Sequence, residues 1–243
     1  VSVGLDDPPA RVLHTLTIDA ALFLARLKAV VPHASEDPEE TALHRVRVTV
    51  VGRVYVVAGS GYSGVVAACD KVIDPTGDIW SVDLLPGDVA EICRLFKPGK
   101  DEIVTLRIEQ LADDRLSVTQ GGALIDGRTF VVPTVSGRDQ MPDWPSVIAS
   151  HLGKTPKARA LTEVQGRYWR AFIAGATALG DVLTMEPLGD NAPVLVRIGT
   201  DLVGLLMPHR YDDERRDQLD RNRDLWSGRL ADARLADPQP STD

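Results

Sequence analysis

Apolar and polar positions alternate in RVLHTLTID at the start of the chain, the pattern of a strand with one buried face. At Asp19 the period changes. AALFLARLKAVV places Phe23, Leu24, Leu27, Val30 and Val31 on one stripe, which predicts a helix capped by Asp19 and ended at Pro32. Arg26 and Lys28 flank that stripe, and Ala21, Ala25 and Ala29 lie on the face away from it. After the charged loop SEDPEET come two Val-rich runs, LHRVRVTVV and VYVVAGSGYSGVVAAC, which read as strands joined at Gly52 and Arg53.

This order recurs. IWSVDLLP reads as a strand, and PGDVAEICRLFK as a short helix with Val89, Ile92, Cys93 and Phe96 on one face. EIVTLRIEQL, RLSVTQGG and RTFVVPTV follow as strands. A third round begins with RALTEVQ as a short strand. The helix GRYWRAFIAGATAL comes next, with Trp169, Phe172, Ile173 and Ala176 facing inward, and then the strands LTMEPL, VLVRIG and DLVGLLMP. A period of roughly 70 residues indicates structural duplication, since solenoid repeats are shorter. Consecutive strands joined by short turns favour antiparallel pairing. The expected fold class is α+β: repeated β-α-β-β-β units with helices on one side of antiparallel sheets. One such unit cannot bury both of its layers, so units must pair. The expected division is 1–145 as a domain of two units, 146–158 as a connector within the Pro-containing stretch 136–160, 159–210 as a third unit, and 211–243 as a charged tail, a solvated helix fading into disorder.

Charge narrows the function classes. With 27 Lys and Arg against 35 Asp and Glu, the net charge is -8. That excludes a protein coating nucleic acid over its whole surface and leaves room for a local basic patch. Each predicted helix offers two basic side chains: Arg26 and Lys28, Arg94 and Lys97, Arg167 and Arg170. Such a surface could follow a phosphate backbone through point charges without reading bases.

Candidate chemistry is sparse. No phosphate loop, dinucleotide fingerprint, zinc-binding helix motif or nucleophile elbow is present, and the glycines of GSGYSG, residues 59–64, do not open a helix. The five His are scattered, and Cys69 and Cys93 sit inside apolar patterns as buried thiols. No catalytic residue, metal or cofactor is expected. No apolar run reaches about 18 residues and the acidic start has no signal-peptide core, so a cytoplasmic, membrane-free protein is expected.

Four segments, in order, resemble the bacterial DNA sliding clamp family, the beta subunit of DNA polymerase III. FLARLKAVVPHASEDPEETALHRVRV is similar to its opening helix, loop and strand, and VYVVAGSGYSGVVAA to the strand and turn built on Ala-Thr-Asp-Gly-His-Arg-Leu. DQMPDWPSVI resembles its Phe-Pro-Asp-Tyr segment, and LVGLLMPHR its closing Val-Met-Pro-Met-Arg. The resemblance spans residues 12–210.

It implies a non-enzymatic processivity factor that encircles or contacts duplex DNA without sequence preference. DNA polymerase or other clamp-motif proteins, a clamp loader and further copies in a homo-oligomer are the implied partners. A clamp-derived peptide-binding adaptor or decoy that closes no ring is the alternative. The family's chain holds six units and this one three. Gly59-Ser60 replaces Thr-Asp, Tyr62-Ser63-Gly64 replaces His-Arg-Leu, Met141 replaces Phe, and His209 replaces the second Met. The family's pocket for partner peptides maps onto Gly61, Tyr62 and Ser63, onto Pro142 and Val147, and onto Leu205, Met207, Pro208 and Arg210. Met suits varied apolar side chains, Pro gives a fixed wall, and Arg can hold a carboxylate.

Overall fold

The structure is a computed structural model describing residues 10–70, 72–73, 77–99, 102–121, 127–136, 140–157, 162–189, 192–210 and 213–236. Repeat 1 runs β1 (Val12–Asp19), α1 (Ala20–Val30), β2 (Val46–Val50), β3 (Val54–Gly59) and β4 (Ser63–Cys69). A two-residue strand, β5 (Val72–Ile73), precedes repeat 2: β6 (Trp80–Leu84), α2 (Pro86–Leu95), β7 (Thr105–Leu111), β8 (Arg115–Gly121) and β9 (Thr129–Pro133). Repeat 3 comprises α4 (Gly166–Leu179), β10 (Leu183–Pro187), β11 (Val194–Ile198) and β12 (Leu202–Leu206). The expected strand RALTEVQ falls partly outside the described residues, and Thr162–Gln165 join no ladder.

Two differences concern the segments around the repeats. A helix, α3 (Trp144–Leu152), stands inside the stretch expected to be a plain connector. Asp143 caps it, accepting from the Ser146 amide at 3.1 Å, and Pro145 occupies its first turn, where a missing N–H costs nothing. Within the charged tail, Asp213–Ala236 form helix α5. The chain divides into two compact bodies, residues 1–208 and 209–243.

Every ladder is antiparallel. One sheet has the order β5-β1-β7-β8-β9 and the other β10-β11-β12-β4-β3-β2-β6. The first two repeats exchange their first strands: β1 pairs with β7 of repeat 2, and β6 pairs with β2 of repeat 1. Repeat 3 joins through its last strand, with Gly204 of β12 opposite Val65 of β4. Helices α1, α2 and α4 bury their apolar stripes in one core with inward residues of both sheets. The seven-stranded sheet is covered on two faces. On β11, Val194, Val196 and Ile198 point to that core, while Leu195 points oppositely and joins Ile148 of α3 and Leu205 of β12.

Helix faces differ from the pattern in three places. Ala29, expected toward water, is buried against α4, where the Cβ missing from Gly175 would lie 3.7 Å from the Ala29 Cβ. The small residues are thus a close helix–helix contact. Arg26 is buried as well. It donates to the Ala68 carbonyl at 3.0 Å and pairs with Asp201 at 2.6 Å, tying α1 to β4 and to the turn before β12. Ile173, expected inside, is 48% exposed.

Candidate partner-binding site

The β3–β4 hairpin turns through Ser60-Gly61-Tyr62, and the Ser60 amide closes it by donating to the Ser63 carbonyl at 2.7 Å. β12 runs beside β4 and ends at this turn, so the Met207 amide donates to the Tyr62 carbonyl at 2.8 Å. Ladder register thus brings together two of the three stretches in the expected groove: Gly61, Tyr62 and Ser63 with Leu205, Met207 and Pro208. The third stretch arrives with α3, which lies on β3, β4 and β12.

Trp144 explains the glycines that the sequence pattern left without a role. Its indole lies flat on the hairpin, and a Cβ on Gly59 or Gly64 would come within 2.2 or 2.1 Å of its ring atoms. Only glycine at both positions lets this ring settle there. Its Nε1 is buried without an acceptor among the described residues.

The hairpin, α3 and the end of β12 each carry exposed apolar side chains. Tyr62 is 51% exposed, Met207 39% and Val147 40%, and Pro142 is exposed too. Two expected members differ. Leu205 is buried in the cluster beneath α3, so it supports the floor. Ser63 is buried and faces His33. Arg210 belongs to the second body, residues 209–243.

A cleft of about 330 Å³ opens on the other side of Tyr62, between the loop after α1 and the start of α4. The Tyr62 and Tyr168 rings meet at a tilt of 33° with centroids 5.3 Å apart, and the Arg167 guanidinium lies 4.5 Å over the Tyr168 ring. Glu36, Asp37 and Glu40 line the loop side. At the base is His33, whose Nδ1 lies 3.3 Å from the Ser63 Oγ and whose ring meets the Phe172 edge at 4.4 Å. Burial pushes its pKa down to about 3, so the ring is neutral. The sequence pattern missed Tyr168, His33 and Trp144. An aromatic residue at the second or third position of a helix was the available signal for Tyr168.

Of the six basic residues expected on an open face, Lys28, Lys97 and Arg170 are exposed without an ion pair among the described residues. Arg94 is exposed and paired with Glu91. Arg167 stands over Tyr168 at the cleft, and Arg26 is buried and paired. No cluster of His, Cys, Asp or Glu able to hold a metal occurs among the described residues, and no described helix is long and apolar enough to cross a membrane.

No family model and no curated protein sequence matches the chain. Solved structures do. The DNA polymerase III beta subunit of Thermotoga maritima superposes with a TM-score of 0.62 at 14% identity, over 85% of this chain and 68% of that one. The DNA polymerase sliding clamp of Pseudomonas aeruginosa gives 0.63 at 14%, over 86% and 70%. A Bartonella birtlesii sliding clamp bound to griselimycin gives 0.63 at 14%, over 85% and 68%. At this identity the likeness is one of fold: the chain has the architecture of the bacterial sliding clamps.

Proposed function

We propose that the chain is a clamp-like, non-enzymatic replication factor that contacts duplex DNA and docks a short linear motif of a polymerase or another partner. The observation that supports this reading is the packing of α3, through Trp144, on the same β3–β4 hairpin beside which β12 ends at Met207. These elements carry the exposed Tyr62, Val147 and Met207, on a fold shared with the sliding clamps.

The site can hold an extended peptide in two parts. Apolar side chains would lie on Met207 and Val147, whose shapes adapt to what they meet. A preceding polar residue would reach past Tyr62 into the cleft, where Arg167 and the loop carboxylates supply donors and acceptors. Relative to the sliding clamp turn, Tyr62 narrows one wall, and the buried Ser63 leaves no charge at the next position, so the preferred motif differs from that of the bacterial clamps.

DNA contact rests on Lys28, Lys97 and Arg170, with Arg94 held by Glu91. Such contact is electrostatic and blind to sequence.

Titration of a labelled peptide carrying Gln, then Leu, then a terminal Leu-Phe tests the docking site by fluorescence anisotropy. Met207→Ala should weaken binding by about tenfold, the loss of one apolar contact. Binding unchanged in both Met207→Ala and Tyr62→Ala would place the site elsewhere.

A further inference from the structure

We propose that the cleft beside Tyr62 selects a basic side chain, a Lys or Arg standing just before the apolar residues of the docked peptide. The inference rests on the docking reading above and adds a charge to the motif.

Charge in the cleft is one-sided. Glu36, Asp37 and Glu40 stand exposed on the loop after α1, and none of them pairs with a basic side chain among the described residues. The loop holds them in place with its own hydrogen bonds. The Ser35 Oγ donates to the Glu40 Oε2 at 2.5 Å, and the Asp37 Oδ1 accepts from the Glu39 amide at 2.9 Å. Groups ordered beforehand spare a partner the cost of ordering them. Against these three carboxylates the lining has one permanent cation, Arg167, and it is engaged on the α4 side. Its Nε donates to the Gln165 Oε1 at 3.1 Å, its Nη2 donates to the Tyr168 hydroxyl, and its guanidinium lies over the Tyr168 ring.

His33 supplies a second, independent observation. The ring at the base of the cleft is 1% exposed, and its Nε2 has no hydrogen-bond partner among the described residues. A buried polar atom left unmet costs about 1–3 kcal/mol, so it calls for a partner. Burial keeps the ring neutral, and it brings no charge to oppose a cation. With the Nδ1 proton given to the Ser63 Oγ, the Nε2 lone pair is left to accept from an N–H donor. Ammonium and guanidinium groups are donors only, and they answer the carboxylates as well. A neutral amide leaves that charge unanswered, and a carboxylate has nothing to donate.

The size of the cleft agrees. Among the described residues no three His, Cys, Asp or Glu side chains come together as a metal site, so the acidic groups are spread along the cleft and suit an extended organic cation. A space of about 330 Å³ takes a long basic side chain, whose apolar stem can lie along the exposed Tyr62 ring while its head reaches the carboxylates. The net charge of -8 favours the approach of a basic segment.

Fluorescence anisotropy on the full chain tests the proposal with labelled peptides that differ at one position: Lys, Arg, Gln or Glu before the Leu and the terminal Leu-Phe. The Lys and Arg peptides should bind about fivefold or more tighter than the Gln peptide, and the Glu peptide more weakly than any. In the triple variant Glu36→Gln, Asp37→Asn, Glu40→Gln the amide oxygens can still accept the loop's hydrogen bonds, and the Lys-to-Gln affinity ratio should fall to about one. Basic peptides that bind no tighter than the Gln peptide, or a preference untouched by the triple variant, would overturn the proposal. A probe without the motif keeps the two readings apart: N-acetyl-lysine methylamide at millimolar concentration, with the norleucine analogue as neutral control, read from the Tyr62 and Tyr168 ring signals by NMR. Saturable shifts with the lysine probe alone, where no peptide binds, would uphold the cation site and sink the docking reading. A Gln peptide that binds with no basic preference would do the reverse. Rings unmoved by the lysine probe, with no peptide bound, would sink both.

Discussion

At the scale of single residues, the site depends on what is missing from Gly59 and Gly64. Their absent side chains make room for the Trp144 indole, which seats α3 on the hairpin. Gly64→Ala therefore forces a methyl into an occupied space. Overpacking of this kind costs about 2 kcal/mol. The expected result is a lower urea midpoint, a shift in Trp fluorescence and weaker peptide binding, from a change that touches no peptide directly. His33 gives a second residue-scale prediction. Above the ordinary histidine pKa of 6.5 the ring is neutral in both folded and unfolded chains. Below it the unfolded chain takes up a proton that the folded chain refuses until about pH 3. Stability therefore falls as pH drops through that window, by about 1.4 kcal/mol per pH unit. His33→Gln should flatten this dependence between neutral pH and pH 5, read from urea denaturation midpoints.

At the scale of elements, the joint between β4 and β12 holds repeat 3 onto the first two. Arg26 stitches it from the α1 side through the Ala68 carbonyl and Asp201. Arg26→Ala leaves Asp201 without its partner at a site that is partly open to water, and should cost about 2 kcal/mol in thermal or urea unfolding. The strand and helix periods were legible because each repeat carries its own alternation and stripe. α3 was not: a proline in its first turn, another just before it and a length of nine residues gave it too few turns to show a period. Arg26 and Ala29 were misread for another reason. A helix packed on two sides has no solvent face opposite its stripe, and the neighbour that covers the second side comes from repeat 3, about 140 residues later in the chain. Ile173 is the converse. Its stripe was read correctly as apolar, but no described residue buries it.

At the scale of the whole molecule, the threefold order of the repeats carried the fold, and the three matching stretches are the basis of the proposed site. What the sequence could not show was Trp144 as the piece joining them, because its contacts are set by sheet register. Net charge of -8 makes free DNA a poor ligand, so DNA contact should appear only where Lys28, Lys97 and Arg170 are presented together. The double variant Lys28→Glu, Arg170→Glu should reduce retention on circular DNA at low salt for any DNA sequence, whereas Arg26→Glu should act through stability alone.

The most direct test of the docking site is a photo-cross-link. A clamp-motif peptide carrying a benzophenone at its terminal aromatic position is bound, irradiated and digested, and the attachment point is read by mass spectrometry. The account predicts attachment to Met207, Tyr62 or the Trp144–Val147 turn of α3, competed by unlabelled peptide. Attachment confined to other parts of the chain, or none that the unlabelled peptide competes, would contradict it.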